Sequence, residues 1–208
     1  MLEASDLACV RGDQILFQGL SFAARPGEVL WIEGENGSGK TSLLRILCGL
    51  GSPDRGELHW GGRPYRKAAD DLARVIAYVG HLNAVKDDLT VTENLRFHAR
   101  LAGLPAGEQE VRDAIDGVGL TRRADLPVRV LSQGQRRRAA LARLWLSRSR
   151  KLWILDEPFS ALDVASVTQL GTLLDGHVNG GGIAVLTTHQ EVALPHGRTR
   201  RLRLDSRA

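Results

Sequence analysis

Three short segments of this chain carry residue types and spacings that can do chemistry. The first is Gly34-Glu35-Asn36-Gly37-Ser38-Gly39-Lys40-Thr41, followed by Ser42. It fits the phosphate-loop pattern G-x-x-x-x-G-K-[ST]. Glycines allow backbone angles that a side chain would forbid, so successive N–H groups can close around an anion. Lys40 is then placed to reach the outer phosphates of a nucleotide, and the Thr41 hydroxyl to ligate Mg2+. The second segment is Trp153-Ile154-Leu155-Asp156-Glu157. A carboxylate at the end of a buried parallel strand lies at the sheet edge where ligands bind. Asp156 can hold the hydration shell of the metal, and Glu157 can polarise an attacking water as general base. The third is Leu131-Ser132-Gln133-Gly134-Gln135. Ser132 is a good N-cap and Gly134 permits close backbone approach. This helix start is a second anion site for a phosphate that already has one. The economical explanation is that it completes the nucleotide pocket of another subunit.

Elements must hold these segments in place. Val29-Leu30-Trp31-Ile32 reads as a buried strand running into the glycine-rich loop, and Leu43, Leu44, Leu47 and Leu50 mark one face of a helix after it. Strand, loop, helix is the order a phosphate-binding unit requires. Apolar runs at 2–7, 15–17 and 20–23 predict a small sheet before it. Strands are expected at 57–60, 74–79, 152–155 and 183–186, with an edge strand over 199–204. Helical patterning fills about 90–146, with helices near 92–101, at 108–118 and from Ser132 onward, and another helix covers 167–174. The predicted class is α/β: a mixed sheet core, a small antiparallel β region and an inserted helical subdomain at about 82–150, all in one domain over 1–208.

The 208 residues suffice for one self-sufficient core. No stretch nears the roughly 20 apolar residues of a spanning helix. The start, MLEASDLACV, lacks a basic n-region followed by an apolar core, so a cytoplasmic chain is expected. The balance of 28 Lys+Arg against 24 Asp+Glu is too mild to argue for nucleic acid. Cys9 and Cys48 form no C-x-x-C pair and read as structural.

With these segments in this order, the chain resembles ABC transporter ATPase subunits along essentially its whole length. The resemblance implies that Ser160-Ala161-Leu162-Asp163 is the D-loop at a dimer seam. It implies that His189, after Leu186-Thr187-Thr188, is the switch histidine at the γ-phosphate. It also implies a head-to-tail homodimer with two Mg·ATP, each between one phosphate loop and the opposite copy's residues 132–135. Three positions depart from the family pattern. Gln133 replaces a common second glycine. Arg11 falls where an aromatic stacks on adenine, a contact a guanidinium plane can also make. His81 falls where a glutamine links the magnesium site to the membrane partner, so the resemblance puts it with Thr41 and Asp156 among the expected magnesium-site residues.

Several less generic stretches narrow the resemblance. They include residues 16–22, Tyr78-Val79-Gly80-His81, the run Arg136-Arg137-Arg138, residues 140–147 and 152–163, and Thr187-Thr188-His189-Gln190. Together they resemble the haem-exporter ATPases of bacterial cytochrome c maturation, where Gly80-His81 and the run Arg136-Arg137-Arg138 are at home and His81 and Arg11 no longer read as damage. That implies a peripheral subunit on the cytoplasmic face of the inner membrane, paired with integral permease subunits. Haem itself is not expected to touch this chain, which has no C-x-x-C-H motif. Other readings are an ABC ATPase with another cargo, and a nucleic-acid-associated ABC ATPase using residues 136–138 as a phosphate patch. A P-loop GTPase would leave residues 131–135 and 160–163 without a role.

Overall fold

The computed structural model describes residues 1–192, 194 and 197–204. The sequence opens with two long strands, β1 (Leu2–Arg11) and β2 (Gln14–Ala24), then β3 (Val29–Gly34) and helix α1 (Lys40–Leu47). Strands β4 (Arg55–Trp60) and β5 (Arg63–Pro64) precede the short helix α2 (Ala69–Val75) and β6 (Ile76–Val79). A helical block follows: α3 (Val91–Leu101), α4 (Glu108–Gly117), α5 (Gln133–Leu141) and α6 (Arg143–Leu146). The chain then returns to α/β order with β7 (Leu152–Asp156), α7 (Val164–Asn179), β8 (Ile183–Thr187) and β9 (Thr199–Leu204).

Two sheets result. The larger has the order β6-β7-β8-β3-β9, and each of its pairings is parallel. All five residues of β7 and of β8 are buried. Strands covered on both faces must be apolar throughout, which is why these runs show no alternation. The smaller sheet has the order β2-β1-β4-β5 and is antiparallel. The antiparallel share of the expected mix therefore lies in this second sheet.

The larger sheet separates two cores. On one face, Leu30, Ile32, Ile154 and Val185 pack with Leu43, Leu44 and Leu47 of α1 and with Leu2, Leu7 and Phe17 of the small sheet. On the other, Val29, Trp153, Leu155 and Leu186 pack with Leu170, Leu174 and Val178 of α7 and with Leu141 and Leu144. A third core, from Val91 and Leu95 through Val111 and Ile115 to Ala139, belongs to the helical block. Among the described residues, no helix is long and apolar enough to cross a membrane.

Local differences from the sequence reading have physical causes. The expected strand over 74–79 begins only at Ile76, because α2 occupies Arg74 and Val75 with Leu72 buried beneath it. The runs at 15–17 and 20–23 join into β2 through Gly19, whose φ of 68° bends the strand without ending it. The helix expected over 167–174 extends to Val164–Asn179. Asp163 caps it by accepting from the Ser166 N–H at 2.8 Å.

Candidate active site

The phosphate-loop segment leaves the carboxyl end of β3 and enters α1, as expected. The Lys40 ammonium donates to the carbonyls of Gly34 at 2.7 Å and Glu35 at 2.9 Å, so the side chain lies back along its own loop. The Ser38 hydroxyl is buried without a hydrogen-bond partner. A Cβ on Gly34 would stand 2.6 Å from that hydroxyl and 2.7 Å from the Leu204 carbonyl, so only glycine fits there. Beside the loop lies an open cleft of about 560 Å³, lined by Glu33, Gly34, Glu35, Asn36, His189 and Arg203.

Strand order brings the second segment to the same edge. β8 lies between β3 and β7, and Thr187 is in register with both Ile32 and Asp156. The Thr41 hydroxyl donates to one Asp156 oxygen at 2.9 Å, and the Thr187 hydroxyl donates to the other at 2.8 Å. Next to them, Glu157 has φ of 48°, the left-handed region that a side chain makes costly. Its N–H donates to Thr187 Oγ1 at 3.0 Å. One carboxylate oxygen accepts from the His189 N–H at 3.2 Å. The other is buried without a hydrogen-bond partner, 3.6 Å from His189 Nε2. Lys40, Thr41, Asp156, Glu157 and His189 thus meet at one sheet edge.

The third segment begins α5 with a capping box. The Gln135 N–H donates to Ser132 Oγ at 3.3 Å, and Gln135 Oε1 accepts from the Ser132 N–H at 3.0 Å. Gly134 lies so close to residues 160–163 that a Cβ would stand 2.9 Å from the Ala161 carbonyl. Arg11 is exposed at the end of β1, and β2 beyond its turn touches the phosphate loop through Leu16 and Phe17 at Gly39. His81 is exposed just past β6, with no hydrogen bond or ion pair to the described residues. Among those residues, no group of three or more His, Cys, Asp or Glu side chains is arranged to hold a metal.

Two residues at this site escaped the sequence reading. A threonine ending an apolar strand carries no signature, so in the sequence Thr187 is only a landmark before His189. Arg137 reads as one of a basic run, yet it is 4 % exposed. It donates to the carbonyls of Gly80, Asp156 and Glu157 and to Asn83 Oδ1. Burial lowers its pKa, opposed by the charges of Asp156 and Glu157. The periodicity held a clue. Three consecutive helical residues are about 100° apart, so they cannot share one solvated face.

Comparison with known proteins agrees with this geometry. The ABC transporter family model matches residues 17–160. The cytochrome c biogenesis ATP-binding export protein CcmA of Nitrosomonas europaea is 53% identical, over 93% of this chain and 91% of that protein. Its namesake in Dechloromonas aromatica is 52% identical, over 98% and 100%. Among solved structures, a putative ABC transporter ATP-binding protein from Pyrococcus furiosus superposes with a TM-score of 0.80. It is 26% identical, over 98% of this chain and 96% of that one. A dimeric ATP-binding cassette in a post-hydrolysis state with ADP and Pi gives 0.78 at 25% identity, over 91% and 88%. With the phosphate-loop segment, the strand ending at Asp156 and the helix-capping segment on one fold, the chain belongs to the ABC transporter family of ATPases, alongside its CcmA relatives.

Proposed function

We propose that this chain is the ATP-hydrolysing subunit of a membrane complex that exports or delivers haem for cytochrome c biogenesis. It works as a head-to-tail homodimer bound peripherally to integral permease subunits at the cytoplasmic face of the inner membrane. The cargo rests on the printed name of its relatives, and the dimer on the post-hydrolysis neighbour. Phe97 and Leu101 add support for a docking partner, since they lie exposed one turn apart on α3.

The observation that carries the hydrolytic reading is Glu157, whose buried carboxylate oxygen makes no hydrogen bond and faces His189 next to the phosphate loop. That oxygen can take a proton from water as the water attacks the γ-phosphorus, and His189 can hold the γ-phosphate oxygens. Lys40 exchanges two loop carbonyls for phosphate oxygens. Gly34, Glu35, Asn36, Gly37, Ser38, Gly39 and Ser42 wrap the phosphates, and the orphaned Ser38 hydroxyl fits an acceptor there. Arg11 stacks on the base. Thr41 and Asp156 offer only oxygen donors, the set a hard cation such as Mg2+ prefers. Bound there, Mg2+ would supply charge neutralisation to the phosphates. Ser132, Gly134 and Gln135 cap the γ-phosphate of the opposite copy's nucleotide.

The test of the assembly uses Glu157→Gln, trapped with ATP in mild detergent and purified by a tag. Mass spectrometry should recover integral membrane proteins of cytochrome c maturation. Recovery of an unrelated permease would keep the ATPase and sink the haem assignment.

A further inference from the structure

His81 is exposed just past β6 and makes no hydrogen bond or ion pair to the described residues. A different side chain ties the loop after β6 to the end of β7. Arg137 on α5 sends Nη1 to the Gly80 carbonyl at 3.1 Å and to Asn83 Oδ1 at 3.3 Å. It sends Nη2 to the Asp156 carbonyl at 3.0 Å and the Glu157 carbonyl at 2.6 Å. One planar guanidinium thus joins three elements: the helix that begins at Ser132, the loop after β6, and the end of β7. A second arginine reinforces the loop side, since Arg143 donates to the Asn83 carbonyl at 2.6 Å and to the Ala140 carbonyl at 2.7 Å.

We infer that Arg137 is a positioning residue for hydrolysis: it pins the Glu157 backbone in its left-handed conformation and makes that pin depend on where the loop at 80–83 and the helical block stand. This rests on the reading of Glu157 as general base. The argument is mechanical. Glu157 pays for a φ of 48°, and such a conformation persists only where its surroundings over-determine it. Three bonds do so: Thr187 holds its N–H, and its carbonyl is shared by Arg137 at 2.6 Å and the Ser160 N–H at 3.2 Å. Thr187 belongs to the sheet, whereas Arg137 belongs to the helical block. A shift of that block, or of the loop it grips, therefore reaches the peptide that aims the catalytic carboxylate. No lysine can replace this, because an ammonium is a point donor that cannot span two carbonyl pairs in one plane.

The test uses the full-length chain and three readouts on Arg137→Gln and Arg137→Lys: affinity for a fluorescent ATP analogue, steady-state kcat and KM, and amide hydrogen exchange. Expected are affinity and KM within about twofold of wild type and kcat lowered about tenfold or more. Faster exchange should appear together at 80–83 and 157–160, with the phosphate loop unchanged. Arg137→Lys should recover only part of kcat. The inference is overturned if kcat stays within twofold, if kcat and affinity fall together, or if exchange rises throughout the chain. Failure of both variants to fold would also overturn it, by making Arg137 a scaffold residue. Glu157→Gln is measured alongside. Wild-type turnover in that variant would remove the base assignment itself, whereas a dead Glu157→Gln with normal Arg137 variants would remove only this inference.

Discussion

Lys40 illustrates how single residues are poised rather than finished. An ammonium at the mouth of a binding loop needs acceptors, and here it borrows the carbonyls of Gly34 and Glu35. On the proposed function, those bonds are exchanged for stronger, charge-assisted ones when phosphate enters. Lys40→Ala is therefore expected to weaken ATP binding at least about tenfold, or about 1.4 kcal/mol, with no loss of thermal stability. Titration with a fluorescent ATP analogue checks this, and unaltered affinity would contradict it. At this scale the sequence was legible wherever a residue type is tied to one backbone geometry, as in the Gly-Lys-Thr loop and the carboxylates after an apolar strand. It was illegible for Arg137, whose role depends on four acceptors scattered from Gly80 to Glu157. His81 shows the converse: its position drew attention, and its side chain lies in solvent.

Elements place these residues by their ends. β3, β7 and β8 run parallel and finish together, which puts the loop at Gly34, the carboxylates at 156–157 and Thr187 along one edge. The apolar runs announced the strands, but not that β8 would sit between β3 and β7. That order comes from long-range pairing with no local sign. Helix α7 is held at its start by Asp163, next to the tight turn in which Ala161 has φ of 60°. The sequence reading started this helix three residues late because Val164, Ala165 and Ser166 offer weak periodicity, and the cap alone decides the boundary. Asp163→Ala should cost about 1 kcal/mol by thermal or denaturant unfolding. It should also loosen residues 160–163, seen as faster amide exchange there. A change in stability below about 0.3 kcal/mol would mean that the packing of α7 fixes its start without the cap.

The whole molecule carries a pH dependence written into its helical block. Burial first, with the cations Arg143 and Arg150 acting in the same direction, lowers the His98 pKa to about 4. Between the ordinary histidine value near 6.5 and about 4, the unfolded chain takes up a proton that the folded chain refuses. Stability is thus greatest above pH 6.5, falls as pH drops through that window, and levels off near 4. His177, buried and stacked on Trp153 at 4.0 Å, is lowered in the same direction, chiefly by its burial. At pH 5 the His98 share is about 1 kcal/mol once its partial exposure is allowed for, or about 2–4 °C of melting temperature. His98→Gln should flatten the fall between pH 7.5 and pH 5 by that amount. An identical fall in variant and wild type would contradict it.

The central claim is that two copies of this chain close on ATP and that Glu157 then drives its hydrolysis. Light scattering on size-exclusion chromatography, with Glu157→Gln and saturating Mg·ATP, tests it most directly, because a stalled base should hold the closed dimer. The account predicts a dimer mass with ATP, a monomer mass without it, and ATP turnover lowered about a hundredfold or more. Adding Ser132→Arg should return the trapped protein to a monomer that still binds nucleotide. A Glu157→Gln protein that stays monomeric with ATP and turns it over like wild type would contradict both the shared pocket and the base.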